Sequence, residues 1–181
     1  MLNYYYNKII KRDLIQKFGY KNLKDVPKIQ RIIVNFGCKD NSLKVLSTTM
    51  LVLELITNRR GSLRKAKSSN LVLKVRKGQA TGCSILLVNA EAFNFLDKLN
   101  LEVFPFLQSP KEVSIATKHK VQAISVAIKQ LITFKSLEQQ FYLFNNLPYL
   151  NVTIVLNTQV SSEFAYCLKS LKIPLKLRRK H

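Results

Sequence analysis

The twenty positions from Arg59 to Gly78, RRGSLRKAKSSNLVLKVRKG, hold eight Lys and Arg side chains and no carboxylate. The chemistry open to Arg59, Arg60, Arg64, Lys65, Lys67, Lys74, Arg76 and Lys77 is capture of a polyanion. Each cation that neutralises a phosphate releases condensed counterions and gains affinity without reading sequence. A charge run is usually a solvated face, but three features set this one apart. No acid occurs between Glu54 and Glu91, the cations alternate with apolar residues, and Gly61, Ser68, Ser69 and Gly78 supply bendable points around them. An anchored, mobile basic loop is expected. Structured RNA suits it, because helical RNA hides its base edges in a deep groove and is gripped by backbone, 2′-hydroxyls and unstacked loops.

Other constellations are weaker. Cys38, Cys83 and Cys167 with His119 would be the material for a thiol nucleophile and its base, but Cys83 opens an apolar strand and Cys167 sits on a helical apolar stripe, the placement of buried structural thiols. No catalytic residue is assigned. The cysteines are too far apart for a metal knuckle, His119 and the terminal His181 cannot assemble three or four ligands, and no phosphate-binding Gly pattern appears, so neither metal nor cofactor is expected. The run Tyr4 to Tyr6 could stack on unpaired bases or anchor an amphipathic helix. The basic end, with Lys176, Arg178, Arg179 and Lys180, suits a tail that orders along RNA phosphates, or a solvated one.

The totals agree with a nucleic-acid partner. In 181 residues, 30 Lys and Arg against 10 Asp and Glu leave a formal charge of +20, a self-repulsion that a polyanion relieves. An apolar content of 47% is ample for one packed core, and one domain spanning 1–181 is expected. Membrane insertion is not expected, since LKVLSTTMLVLELI contains Lys44 and Glu54 and falls short of a bilayer span. Binding to an anionic membrane surface would need a basic amphipathic helix, toward which the first helix supplies only Lys8, Lys11 and Arg12. The amino terminus lacks a signal core, and its Asp13 and missing Ser argue against a cleaved transit peptide. Scattered cysteines suit a reducing interior.

These side chains need elements to hold them. Ile10, Leu14 and Phe18 recur as a helical stripe, with Gly19 suited to end it. Ile29 to Phe36 is short and rich in β-branched residues, a strand closing at Gly37. Asp40, Asn41 and Ser42 are capable caps for a helix whose buried face is Leu43, Leu46, Met50 and Leu53, ending near Asn58. In LVLKVR the alternation predicts a strand with Leu71, Leu73 and Val75 on one face and Lys74 and Arg76 on the other. CSILLVN predicts a buried strand, AEAFNFLDKLNL a helix, and Asn151 to Thr158 another strand. Ser161 is placed to cap a last helix stopped by Pro174. No pattern places Phe104 to Lys120. The fold class is α+β: a single domain of mostly antiparallel sheet, helices packed on one face, and a long basic hairpin loop over 59–78.

Three segments resemble a known family, that of the fifth protein of the large ribosomal subunit, bacterial and organellar type. FGYKNLKDVPKIQRIIVNFG is similar to its first strand and lead-in, ELITNRRGSLRKAKSSNLVLKVRKGQATGCSILL to its long basic hairpin, and NVTIVLNTQVSSEFAYCLKSLKIPL to its closing strand, helix and tail. AFNFLDKL resembles the helix after the hairpin. The match covers roughly two thirds of the chain, in order. It departs at Asn58-Arg59-Arg60-Gly61, where the family has Gly-Gln-Arg-Pro, at Leu86, where a Thr is usual, and between Phe106 and Ala127, where Arg-Asp-Phe-Arg-Gly and Gly-Arg-Gly-Asn-Tyr are absent.

The resemblance implies a non-catalytic constituent of the central protuberance that holds 5S rRNA, where the compartment has one, against large-subunit rRNA. It implies a hairpin reaching the elbow of peptidyl-site tRNA, a bridge to a protein of the small-subunit head, and other ribosomal proteins as neighbours. By matching positions, Asn35 falls on the family's recognition Asn, with Arg59, Arg60, Arg64 and Lys65 toward rRNA. Lys67, Ser68, Ser69, Lys74, Arg76 and Lys77 form the tRNA-facing loop, and the basic tail spans 176–181. An eroded centre and a composition rich in Asn, Ile, Lys, Tyr and Phe suit a mitochondrial matrix ribosome, with plastid or bacterial cytoplasm as alternatives. The alternative function is a free-standing RNA-binding or RNA-remodelling factor.

Overall fold

The computed structural model of the chain describes residues 1–38, 42–72, 74–106, 113–118, 121–139, 141–144, 147–158 and 160–173. The expected amino-terminal stripe forms α1 (Leu2–Tyr5), a π-helical segment Tyr6–Ile10, and α2 (Lys11–Phe18). Ile10 and Leu14 are fully buried, and Gly19 ends α2 in the left-handed conformation at φ 61°, its N–H donating to Ile15 O at 3.0 Å. Only glycine enters that region without a steric penalty. β1 (Ile29–Gly37), α3 (Leu43–Thr57), β2 (Ser62–Lys65), β3 (Ala80–Leu87) and α4 (Asn89–Lys98) follow, and the helical path continues through Leu99–Val103. β4 (Val113–Lys118), β5 (Val121–Ile128), α5 (Lys135–Glu138), β6 (Leu150–Leu156) and α6 (Ser161–Ser170) complete the order.

The strands form one six-stranded sheet in the order β2-β3-β1-β6-β5-β4, and the α+β expectation holds. β2 pairs antiparallel with β3, and β4 with β5. Along β1 the period of two buries Ile32, Val34 and Phe36 and leaves Arg31, Ile33 and Asn35 on the opposite side. Gly82 on β3 is required by packing: a Cβ there would stand 2.2 Å from the carbonyl oxygen of Phe36, a distance no side chain tolerates. The Cys38 N–H donates to Thr81 O at 2.9 Å beside it.

The chain divides into two compact units, Met1–Ile32, Leu87–Val126 and Thr153–His181 in one, Ile33–Leu86 and Ala127–Val152 in the other. In the first, α1 packs on α4 and α2 on α6. The Tyr6 hydroxyl donates to Pro27 O while its ring lies 5.5 Å from that of Phe93, so one member of the Tyr4–Tyr6 run is a buried anchor and the other two are exposed. In the second, α3 packs on α5, and Val34, Phe36 and Phe134 are buried.

Three expectations are corrected. The buried face of α3 is Leu46, Thr49, Leu53 and Ile56 with Val52, whereas Leu43 is 86% exposed and Met50 is half-buried. The face is turned toward Thr49, a polar residue that tolerates burial because its hydroxyl donates to Leu46 O at 2.9 Å. Ser42 does cap α3, accepting from Val45 N–H at 3.4 Å, and Asp40 and Asn41 lie outside the described residues. Ser161 is the first residue of α6 and not its cap; its Oγ accepts from Gln122 Nε2 at 3.3 Å instead. Pro174 lies outside the described residues. The third correction falls on the hairpin.

Candidate nucleic-acid interface

α3 delivers the chain to the basic segment. Asn58 ends the helix in the left-handed conformation, φ 55°, with its N–H on Glu54 O at 2.8 Å, and Arg59 and Arg60 follow at the surface. Their charge lies at the helix end whose free carbonyls favour cations. β2 then pairs Ser62 with Ser84, Leu63 with Cys83 and Arg64 with Gly82, and the register shifts between Arg64 and Lys65. Such a bulge bends a strand and re-aims its side chains.

Beyond the bulge the two arms stay tied by hydrogen bonds. Ala66 N–H donates to Gln79 O at 2.8 Å, and Gly78, at φ 87°, donates to Ala66 O at 3.0 Å. Gln79 Oε1 accepts from Arg76 N–H at 3.1 Å. Further out, Asn70 and Val75 exchange both backbone bonds, at 2.9 and 3.0 Å.

Here the expected strand over Leu71 to Arg76 is overturned. Leu71 is 95% and Val72 90% exposed, while Val75 is buried. Lys74 takes φ 51°, which breaks the pleat, and its N–H closes a turn on Leu71 O at 3.1 Å. The Asn70 side chain stabilises this turn by accepting from Val72 N–H at 2.9 Å, a local pattern that competes with sheet pairing. Leu73 lies outside the described residues.

The turn leaves Lys67, Ser68, Ser69, Lys74, Arg76 and Lys77 exposed, together with Arg59, Arg60, Arg64 and Lys65. Among the described residues no carboxylate pairs with Arg60, Lys65, Lys67, Lys74, Arg76 or Lys77. Arg64 is held otherwise: its Nε donates to the Oγ of Ser84, a residue 96% buried, and Ser62 Oγ donates to Ser84 O at 3.0 Å. Ser84, Asn70 and Gln79 are therefore positioning residues that the sequence reading passed over; Asn70, a ready turn former beside Ser68 and Ser69, was the available signal.

Asn35 stands half-buried on the side of β1 away from Val34 and Phe36. β3 separates β1 from β2, so Asn35 and the β2 cations lie on strands two spacings apart, roughly 10 Å. The tail residues Lys176, Arg178, Arg179 and Lys180 lie outside the described residues. All three cysteines are buried, and burial raises the thiol of Cys83 and pushes that of Cys167 up to about 12. Both are held as neutral thiols, the opposite of an activated nucleophile. His119 lies outside the described residues. No helix among the described residues is long and apolar enough to cross a membrane.

No family model matches the chain. Among curated proteins it is 35% identical over 179 residues to the large ribosomal subunit protein uL5m of Reclinomonas americana, covering 98% of both chains. It is 30% identical over 174 residues to uL5 of Syntrophus aciditrophicus, covering 95% of this chain and 96% of the relative, and 33% identical over 136 residues to uL5 of Clostridium botulinum strain Eklund 17B, covering 74% and 75%. The class is thus a structural protein of the large ribosomal subunit, an rRNA-binding constituent of the translation machinery and not an enzyme. The chain belongs to the uL5 family, as the sequence resemblance implied.

Proposed function

We propose that this protein holds 5S rRNA and large-subunit rRNA together at the central protuberance and presents its hairpin to the elbow of peptidyl-site tRNA. The observation that carries this reading is the hairpin itself: eight cations without a carboxylate, on a backbone tied at successive levels from Ser62–Ser84 to Asn70–Val75. Charge without base readout is what holding every tRNA alike requires. Asn35 and the β2 cations Arg64 and Lys65 form the rRNA-facing part, and Lys67 through Lys77 the tRNA-facing part. A protein of the small-subunit head and other ribosomal proteins complete its neighbours. The ribosome is that of the mitochondrial matrix, a reading supported by the 35% identity to a protein named uL5m.

Sedimentation of native lysate through a sucrose gradient, at moderate and high salt, tests this. The protein is expected with the large subunit after the salt wash, with a co-migrating small rRNA. Recovery near the top of the gradient with free RNA would instead make it a free-standing RNA-binding factor.

A further inference from the structure

Among the described residues of the hairpin the two most exposed apolar side chains are Leu71 and Val72, at its apex, at 95% and 90% exposure. They are not loose. Asn70, Leu71, Val72, Lys74 and Val75 are tied to one another through four hydrogen bonds: Asn70 N–H to Val75 O, Val75 N–H to Asn70 O, Lys74 N–H to Leu71 O, and Val72 N–H to Asn70 Oδ1. With those polar groups satisfied inside the turn and Lys74 held at φ 51°, the two apolar side chains stand outward at the tip of a cationic arm. Water is a poor neighbour for them.

We infer that Leu71 and Val72 form an apolar wedge that packs on an unstacked nucleobase or ribose face of the RNA whose phosphates the surrounding cations hold. This rests on the RNA-binding reading proposed above and adds a contact of a different kind. Charge complementarity selects the occupant: Lys67 and Lys74 to Lys77 flank the apex with no carboxylate, so the partner must be anionic around an apolar face. Structured RNA offers that combination wherever a base leaves the stack, and aliphatic side chains such as Leu and Ile are known to wedge against base faces where DNA steps are unstacked. A bilayer surface is the poorer fit, because two side chains on a turn lack the extended apolar face of an interfacial anchor.

The wedge and the cations leave separate signatures. Phosphate contacts set the slope of log affinity against log salt, whereas apolar packing shifts the whole line without changing its slope. Full-length protein and the double variant Leu71→Ser/Val72→Ser are titrated against a tRNA transcript, against polyphosphate and against phosphatidylserine vesicles, between about 50 and 200 mM salt. The double variant is expected to bind the tRNA about 10-fold more weakly at every salt with an unchanged slope, and polyphosphate as before. Leu71→Met/Val72→Ile is expected to retain the affinity. Equal tRNA binding by the serine variant, or an equal loss on polyphosphate, overturns the wedge, and a loss confined to vesicles assigns the apex to lipid. Absence of tRNA binding by the unmodified protein, or binding whose affinity does not change with salt, overturns the RNA reading itself.

Discussion

Arg64 reaches across the β2–β3 ladder and places its Nε on the Oγ of Ser84, so one cation of the hairpin is fixed to the sheet. Ser84 is buried, and its carbonyl also accepts from Ser62 Oγ. This links a surface charge to the core of the sheet. Replacing Ser84 with Ala removes the acceptor and frees the guanidinium. The expected cost is about 1 kcal/mol of folding stability, seen as a lower urea midpoint at unchanged slope.

The proposed function assigns the cations past the bulge to tRNA. Lys74, Arg76 and Lys77 project from the turn without carboxylate partners among the described residues. Their combined replacement by Ala is expected to weaken tRNA retention in the peptidyl site and to lower the salt slope of tRNA binding by about one per contact removed. Assembly into the large subunit is expected to be unchanged. A subunit population lacking the protein would make the hairpin a structural element of assembly.

Asn35 carries the rRNA side of the account. Asn35→Ala is expected to reduce 5S rRNA affinity by about 1 to 3 kcal/mol, the range for a lost hydrogen bond with an unsatisfied partner. A binding isotherm superimposable on that of the unmodified protein would remove Asn35 from the interface.

Gly82 holds the strand that supports the hairpin. Because a Cβ would meet the carbonyl oxygen of Phe36 at 2.2 Å, Gly82→Ala must push β3 from β1. A cost of about 2 to 3 kcal/mol is expected, or about 5 to 10 °C in Tm by calorimetry. An unchanged Tm would mean that the two strands do not approach as described.

The Cys167 thiol predicts an alkaline limb. Burial raises it from 9.0 to about 12 in the folded chain, so above pH 9 the unfolded chain releases a proton that the folded chain retains. Its contribution is present in full below pH 9 and is lost as pH rises toward 12. Urea midpoints at rising pH should therefore fall more steeply for the native chain than for Cys167→Ala. Parallel decline of the two would exclude the thiol as the cause.

Much of the scaffold was legible in the sequence because its signals are local. The stripe Ile10, Leu14, Phe18 with Gly19, and the β-branched run Ile29 to Phe36, depend on period and capping alone. The face of α3 was misplaced because Thr49 reads as polar, yet its hydroxyl is satisfied within its own helix. The alternation in LVLKVR was mistaken for a strand because a projecting turn and a pleated strand share the same pattern. What separates them is the Asn70 side chain, a turn former readable in the sequence, and the left-handed Lys74, which no residue type at that position announces. β4 was not legible because its sequence, VSIATK, gains its shape from residue-by-residue pairing with β5.

The central claim is that the hairpin of this protein meets tRNA in the assembled ribosome. A photocrosslinking residue at position 74, in ribosomes carrying peptidyl-site tRNA, tests it most directly. The account predicts a crosslink to tRNA that disappears when the site is emptied. A crosslink only to rRNA or to a neighbouring protein, indifferent to tRNA, would contradict it.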